Sequence, residues 1–458
     1  MTRKRSLGGI EIERRAALKG LAALSGYAST GISSATADGP KKPHYRALVC
    51  IGLDGGNDHA NTVVPYDRGQ YQEYADNRDG IALEWGALNA LSLKGDKSRS
   101  APQALHPSLV GIKRLLEDGD GAIVANVGPL EEPTTLADFQ AGRVRLPTQL
   151  FSHSDQKRSW YTAIPTRWEN TGWLGRLGDA ISEEFYPNTS MPFLYTTEST
   201  QIILQGQRAR AMSIIARGRT AVRWQSRVFG NRQNADDLKK LVTLSGANIL
   251  EQQLALDNSE FLRNAAQYSS EVGAIEIDRS EFPKGKLGSQ LATAFEAIKA
   301  ANGLSQPRQI IFANHSGFDV HASLTDRHSV LLKEFDEAVS AFVRALKREG
   351  YWDSVLIFTI SDFGRALLSN GRGSDHGWGG HQFVFGGGVN GANIYGRVPE
   401  LTLNTAEDVG QGRLLPTTSM AEYYATIAKW FGVDPDAVSY VIPNASKFDH
   451  KTLDGLLS

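Results

Sequence analysis

Five short apolar runs, separated by stretches of helical character, constrain this chain more than any other feature. The runs are Ala47–Leu53, Ala122–Val127, Gln309–Ala313, Val355–Ile360 and Phe383–Phe385. Each reads as a strand. Between the third and fourth lies the clearest helix, Ser329–Lys347, where Leu331, Phe335, Val339, Phe342 and Leu346 recur at three-to-four spacing. A strand, a helix and a strand in that order form a right-handed crossover unit. Repetition of the pattern predicts an α/β domain with a largely parallel central sheet and helices on both faces. It spans 47–458 as one unit. Residues 205–285 are more polar. They read as a mostly helical insertion or cap, with Leu238, Leu241, Val242 and Ile249 on one face after an Asn234 cap.

The first residues ask for a different reading. Arg14-Arg15 precedes a weakly apolar stretch, Leu18 to Ile32, that Gly and Ser interrupt. It is too short and too polar to span a bilayer. Ala35-Thr36-Ala37 then offers the small-x-small pattern of a signal-peptidase site. Residues 1–37 are therefore expected to be a cleavable twin-arginine signal read by the twin-arginine export machinery, although Glu13 stands where such signals usually carry Ser or Thr. Residues 38–46 read as a linker. The expected destination is the periplasm, the cell surface or the medium, and no transmembrane segment is expected in the mature form.

Charge and cysteine content narrow the function classes. The formal net charge is −1, and residues 1–37 carry +4, so the mature chain stands near −5. Such a surface is not built to hold nucleic acid. The single cysteine, Cys50, lies inside the first apolar run, where a buried inert thiol is expected rather than a reactive one. The chain must be stable without disulfides, which suits export in folded form.

In open α/β sheets, ligands bind beyond the carboxyl ends of the strands. Here those ends are rich in Asp, Asn and His. The first strand runs into Asp54-Gly55-Gly56-Asn57-Asp58-His59, the third into Asn314-His315-Ser316-Gly317-Phe318-Asp319-Val320-His321, and the fourth into Ser361-Asp362-Phe363-Gly364-Arg365. Asp375-His376-Gly377 precedes the fifth. Five of the ten histidines fall between 315 and 381. Carboxylate with neutral imidazole suits Zn²⁺, Mn²⁺ or Fe, and the oxygen-rich members also suit Mg²⁺ or Ca²⁺. For any one histidine a surface or capping role is the commoner case; the set at successive strand ends points to a metal or polar active site. Ser152-His153 offers a hydroxyl beside an imidazole, open to two readings, a nucleophile or a helix N-cap before Gln156–Trp160. There is no Gly-x-Ser-x-Gly elbow and no phosphate loop with Lys. Gly386-Gly387-Gly388-Val389-Asn390-Gly391 matches a dinucleotide fingerprint only formally, because a turn rather than a helix is expected after it.

With these motifs in view, the chain resembles the exported bacterial proteins grouped as domain of unknown function 1501, themselves similar to the alkaline phosphatase and sulfatase superfamily. The resemblance rests on Gly55-Gly56-Asn57-Asp58 with Asn61-Thr62-Val63-Val64-Pro65, Leu105-His106-Pro107, Ser152-His153, Thr171-Gly172-Trp173-Leu174-Gly175, Phe318-Asp319-Val320-His321, Ser361-Asp362-Phe363-Gly364-Arg365, Asp375-His376-Gly377, Gly387-Gly388-Val389 with Tyr395-Gly396, and Pro416-Thr417-Thr418. It implies one or two divalent ions (Zn, Mn, Mg or Ca) around a hydroxyl nucleophile. On that basis Asp54 or Asp58, Asp319 with His321, Asp362 and His376 would be the ligands. Ser152 or a water on the metal would be the nucleophile, with Arg365 offsetting oxyanion charge. Phe363 departs from the pattern, standing where the superfamily has a histidine, and Asp319-x-His321 is tighter than its usual spacing.

Two functions follow. One is an exported metal-dependent hydrolase of phosphate or sulfate esters, acting on a small-molecule or glycan substrate. The other is a non-catalytic relative that binds an ion, a surface glycan or a partner protein through the same crevice. The export reading has a direct test. Replacing Arg14 and Arg15 together by Lys is expected to leave the precursor in the cytoplasm. Mature protein still recovered from the periplasm would refute it.

Overall fold

In the computed structural model the described residues are 45–93, 102–187, 191–199, 201–220, 231–449 and 453–458. The expected signal and all of the linker before residue 45 lie outside them. Residues His44–Ser458 make one compact unit.

All five apolar runs are strands of a single ten-stranded sheet. The first, Arg46–Asp54, sits at its centre and pairs in parallel with Arg308–Ser316 on one side and Val355–Ser361 on the other. Its neighbours put Asp54 level with Ser316, and Leu53 level with His315 and Ser361. Outward from Val355–Ser361 come Gly380–Phe385, which runs antiparallel, and Gly121–Gly128. Asn393–Tyr395 and Thr418–Ser419 both pair with Gly121–Gly128 in parallel. Leu194–Thr196 and Ala211–Ile215 continue the parallel set beyond Arg308–Ser316. The sheet is thus mixed and mostly parallel. Its central strands are buried on both faces, which is why they read as unbroken apolar runs rather than alternating ones.

Helices cover the two faces and divide the core. One side packs the helices Lys286–Lys299 and Leu324–Arg348 onto Val49, Ile51, Ile311 and Ile357. The other packs Trp173–Phe185 and Met420–Phe431 onto Leu48, Cys50, Phe312 and Phe358, with Trp173 stacked on Tyr424 at 4.0 Å. Cys50 is fully buried, and burial pushes its thiol pKa up, so it packs as a small apolar residue.

The structure extends or corrects several sequence readings. The helix expected at Ser329–Lys347 runs from Leu324 to Arg348. The 205–285 stretch is not all helix, since Ala211–Ile215 and Arg219–Thr220 are strands ahead of the helices Arg232–Val242 and Ile249–Gly273. The cap of the first of these helices is Asn231, whose side chain accepts from the Gln233 N–H, and not Asn234. After the glycine run 386–388 comes a strand, Asn393–Tyr395, not the helix a dinucleotide site needs. No helix among the described residues is long and apolar enough to cross a membrane.

Candidate metal centre

The crevice forms where the central strands end. Arg46–Asp54 delivers Asp54 and then turns through Gly55 and Gly56, both at positive φ. A Cβ at Gly55 would lie 2.2 Å from the Asp319 amide nitrogen, and one at Gly56 would lie 2.1 Å from the Phe363 ring. Only glycine lets the first loop pack against the two loops that carry Asp319 and Asp362. The Gly55 N–H donates to Asp362 Oδ2 at 2.9 Å, and the Asn57 N–H donates to Ser361 Oγ at 2.8 Å.

Two groups of donors result. The inner group is Asp54, His153 and Asp362, and the outer group is Asp319, His321 and His376. Within each group the three ligand-type atoms lie within 4.8 Å of one another. In the outer group, His321 Nε2 is 3.0 Å and His376 Nε2 3.4 Å from Asp319 Oδ1, and the two Nε2 atoms are 3.2 Å apart. His376 Nδ1 donates to the Phe151 carbonyl at 3.0 Å, which leaves Nε2 as the lone-pair nitrogen facing the group. Two imidazole nitrogens and one carboxylate oxygen on a common point are a ligand set for a divalent transition ion.

In the inner group, His153 Nδ1 lies 2.7 Å from Asp362 Oδ2, yet it is buried without an aligned hydrogen-bond partner. Two carboxylates and one imidazole also fit Mn²⁺, Mg²⁺ or Ca²⁺. The Asp362 carboxylate beside it raises the His153 pKa against the pull of burial. Burial raises Asp362 itself, offset by His153 and reinforced by the Asp54 charge. The two groups adjoin: the His153 and His376 rings are 6.3 Å apart, and Phe363 stands 6.0 Å from the first and 4.4 Å from the second.

The remaining expected residues have other places. Asp58 joins neither group. It is fully buried against the equally buried Arg78 guanidinium, and that pair secures the turn after the first strand. Arg365 is also fully buried, and its donors are engaged by the carbonyls of Gly55, Gly56, Phe318 and Ser374 and by Asp319 Oδ1 at 2.7 Å. Burial works to raise the Asp319 carboxyl, but the Arg365 hydrogen bond and the charges of Arg365, His321 and His376 together hold the pKa below the usual range. Arg365 therefore positions Asp319 within the outer group. Ser152 stands at the N-cap position of the helix His153–Thr162, where its hydroxyl donates to Asp155 Oδ2 at 2.6 Å. His153 and Lys157 are the site residues that sequence reasoning passed over; the Ser152-His153 pair was the available signal, on the imidazole rather than the hydroxyl.

Buried imidazoles support these loops from behind. His328 Nε2 donates to Asn57 Oδ1 at 2.8 Å, and His106 Nδ1 accepts from the Ser108 N–H at 3.0 Å. His381 Nδ1 accepts from the Asn126 N–H at 3.2 Å and stands edge-on to His59. Burial pushes His106 and His328 down to about 3 and His381 down to about 4, and lowers His59 as well. A cavity of 1340 Å³ between Leu130, Tyr395, Arg397 and Phe448 includes no member of either donor group in its walls. The donor geometry, not cavity size, marks the site.

Comparison with known proteins follows this geometry. The family described as "Protein of unknown function (DUF1501)" matches residues 45–447, and the chain belongs to it. No curated protein matches the chain. Among solved structures it is similar to the PsFucS1 sulfatase from Pseudoalteromonas sp., at 11% identity over 86% of this chain and 69% of that one, with a TM-score of 0.37. It is similar to the C-terminal periplasmic domain of EcEptC from Escherichia coli in complex with Zn, at 9% identity over 86% and 85%, TM-score 0.36. It is also similar to the alkaline phosphatase PafA, at 12% identity over 71% and 64%, TM-score 0.31. Likenesses this remote carry no correspondence of residues.

Two predictions come from the supports of the site. Asp58→Ala, which strands a buried guanidinium, is expected to cost about 3–5 kcal/mol of stability while leaving metal stoichiometry unchanged. Adding Arg78→Met should recover most of the loss. Denaturant titration and metal analysis check both; lost metal with intact stability would make Asp58 a ligand after all. The second concerns acid. The buried histidines have folded pKa values below the unfolded value near 6.5, so the unfolded chain binds more protons between those limits. Stability is therefore full above pH 6.5 and falls as pH drops towards 3–4, each histidine adding up to about 1.4 kcal/mol per pH unit. The urea midpoint is expected to be clearly lower at pH 5.5 than at 7.5. Equal midpoints would mean that these rings are protonated in the fold.

Proposed function

We propose that this chain is an exported metal-dependent hydrolase of phosphate or sulfate esters. The observation that carries the reading is the outer group: two Nε2 atoms and one carboxylate oxygen aimed at one point, with a carbonyl behind His376 fixing its tautomer. A divalent ion bound there would polarise an ester oxygen and lower the pKa of a water or of the Ser152 hydroxyl. The chain's own residues supply the rest. Arg365 locks Asp319, Gly55 N–H and His153 lock Asp362, and Asp155 holds the Ser152 hydroxyl at the mouth of the helix carrying His153.

The binding-only reading keeps one specific support. Phe363 places an apolar ring against His153 and His376, where a third imidazole would complete a ligand set. Export rests on the residues before 45, and the twin-arginine pathway is part of the proposal.

Metal analysis of the purified protein is expected to find one or two equivalents of divalent ion, and added Mn²⁺ or Zn²⁺ should raise the wild-type melting temperature by several degrees. His321→Ala and His376→Ala should melt like wild type without metal and gain little with it. Their combined effect on activity should be far less than additive, because either one removes most of the ion. Asp319→Asn should melt lower even without metal, since it leaves the Arg365 charge unpaired. A wild type with no metal and no metal-dependent shift would make the cluster a structural polar network.

A further inference from the structure

The inner group holds a cation of its own. Lys157 reaches Asp54 Oδ1 with its ammonium, and it sits four residues after His153 on the same helix, so both side chains leave one face. The other Asp54 oxygen has only the Asn314 amide, at 3.4 Å. Among the described residues, no other lysine or arginine pairs with Asp54 or Asp362.

The two donor groups therefore differ in how their carboxylates are neutralised. Asp319 is held by Arg365, a fully buried guanidinium engaged with five acceptors, which cannot leave without stranding its charge. Lys157 has one partner, a flexible stem and a quarter of its side chain in solvent. The Tyr161 ring stands beside it, its centroid 5.5 Å from the ammonium. A divalent ion held by Asp54, His153 and Asp362 would compete with the Lys157 ammonium for the negative charge of the same Asp54 carboxylate.

We propose that Lys157 is a resident, exchangeable counter-ion of the inner group: a divalent cation binds there only by displacing the Lys157 ammonium from Asp54. The inference rests on the metal reading above. It makes the two groups unequal, the outer filling first and the inner responding to ion concentration. The lysine lowers the affinity of the site it adjoins, the opposite of a residue that organises ligands.

Mn²⁺ binding measured by calorimetry on the mature protein tests this. Lys157→Gln is expected to bind the weaker-bound Mn²⁺ at least tenfold more tightly than wild type, or to reveal a second ion where wild type shows one. Lys157→Arg, which keeps the charge, should behave like wild type and shows that packing is not the cause. In an Asp54→Asn background the Lys157→Gln substitution should change affinity by less than about twofold, because the shared carboxylate is gone. If wild type binds Mn²⁺ and Lys157→Gln binds it equally or more weakly, the proposal falls while the metal reading stands. The same holds if the gain persists in Asp54→Asn. If wild type, Lys157→Gln and Lys157→Arg all bind no Mn²⁺, Zn²⁺ or Ca²⁺, both readings fall together.

Discussion

The crevice depends on one buried guanidinium. Arg365 binds the carbonyls of Gly55 and Gly56 from the first loop, Phe318 and the Asp319 carboxylate from the second, and Ser374 from the hairpin that ends at His376. Three loops that are far apart in sequence are tied at a single planar group with five donors in fixed directions. A lysine there could not satisfy as many acceptors at once. Burying the charge costs several kcal/mol, and these five hydrogen bonds together with the Asp319 charge offset it. Asp319 thus serves two roles: it neutralises the guanidinium and it is held rigid with His321 and His376 around it.

Much of the fold was legible because the central strands are buried on both faces, which leaves a continuous apolar run in the sequence. Leu194–Thr196 and Ala211–Ile215 were not, being three and five residues long with no such run. The chemistry of the site was also legible in outline, since Asp and His at strand ends have few structural reasons to gather. Individual roles were not. Asp54 and Asp58 are equally polar and four residues apart, and only the position of Arg78, twenty residues on, decides that Asp58 is paired and shielded. Ser152 and His153 are adjacent, and which one faces Asp362 is set by how their helix meets the sheet. Arg365 read as a free cation because a sequence does not show which carbonyls converge on a side chain.

Glycine content acquires a specific meaning at this site. Gly56 cannot carry a Cβ because the Phe363 ring occupies that space. Gly364, the residue after Phe363, packs its Cα region against the Gly379 carbonyl and His59. The residues flanking the donors pack closely, and the apolar ring is enclosed as firmly as the donors are. Phe363 is therefore a packed apolar wall beside both donor groups.

That wall bears on how the two donor groups interact. The Phe363 ring stands 6.0 Å from His153 and 4.4 Å from His376, and a phenyl ring offers an ion no ligand atom. Charges across such a wall act through a medium of lower effective dielectric than water, so each group feels the other's state more strongly than surface groups would at the same separation. Neutralisation of each group by its own cation is then a requirement of the fold. Asp54 and Asp362 face Lys157 and His153, and Asp319 faces Arg365. Without those partners, three carboxylates would stand together beside an apolar ring, and the like charges would drive the loops apart. The partners that make the crevice foldable without an ion are the same ones that decide how tightly an ion is held. In the outer group that partner is fixed, and in the inner group it can move.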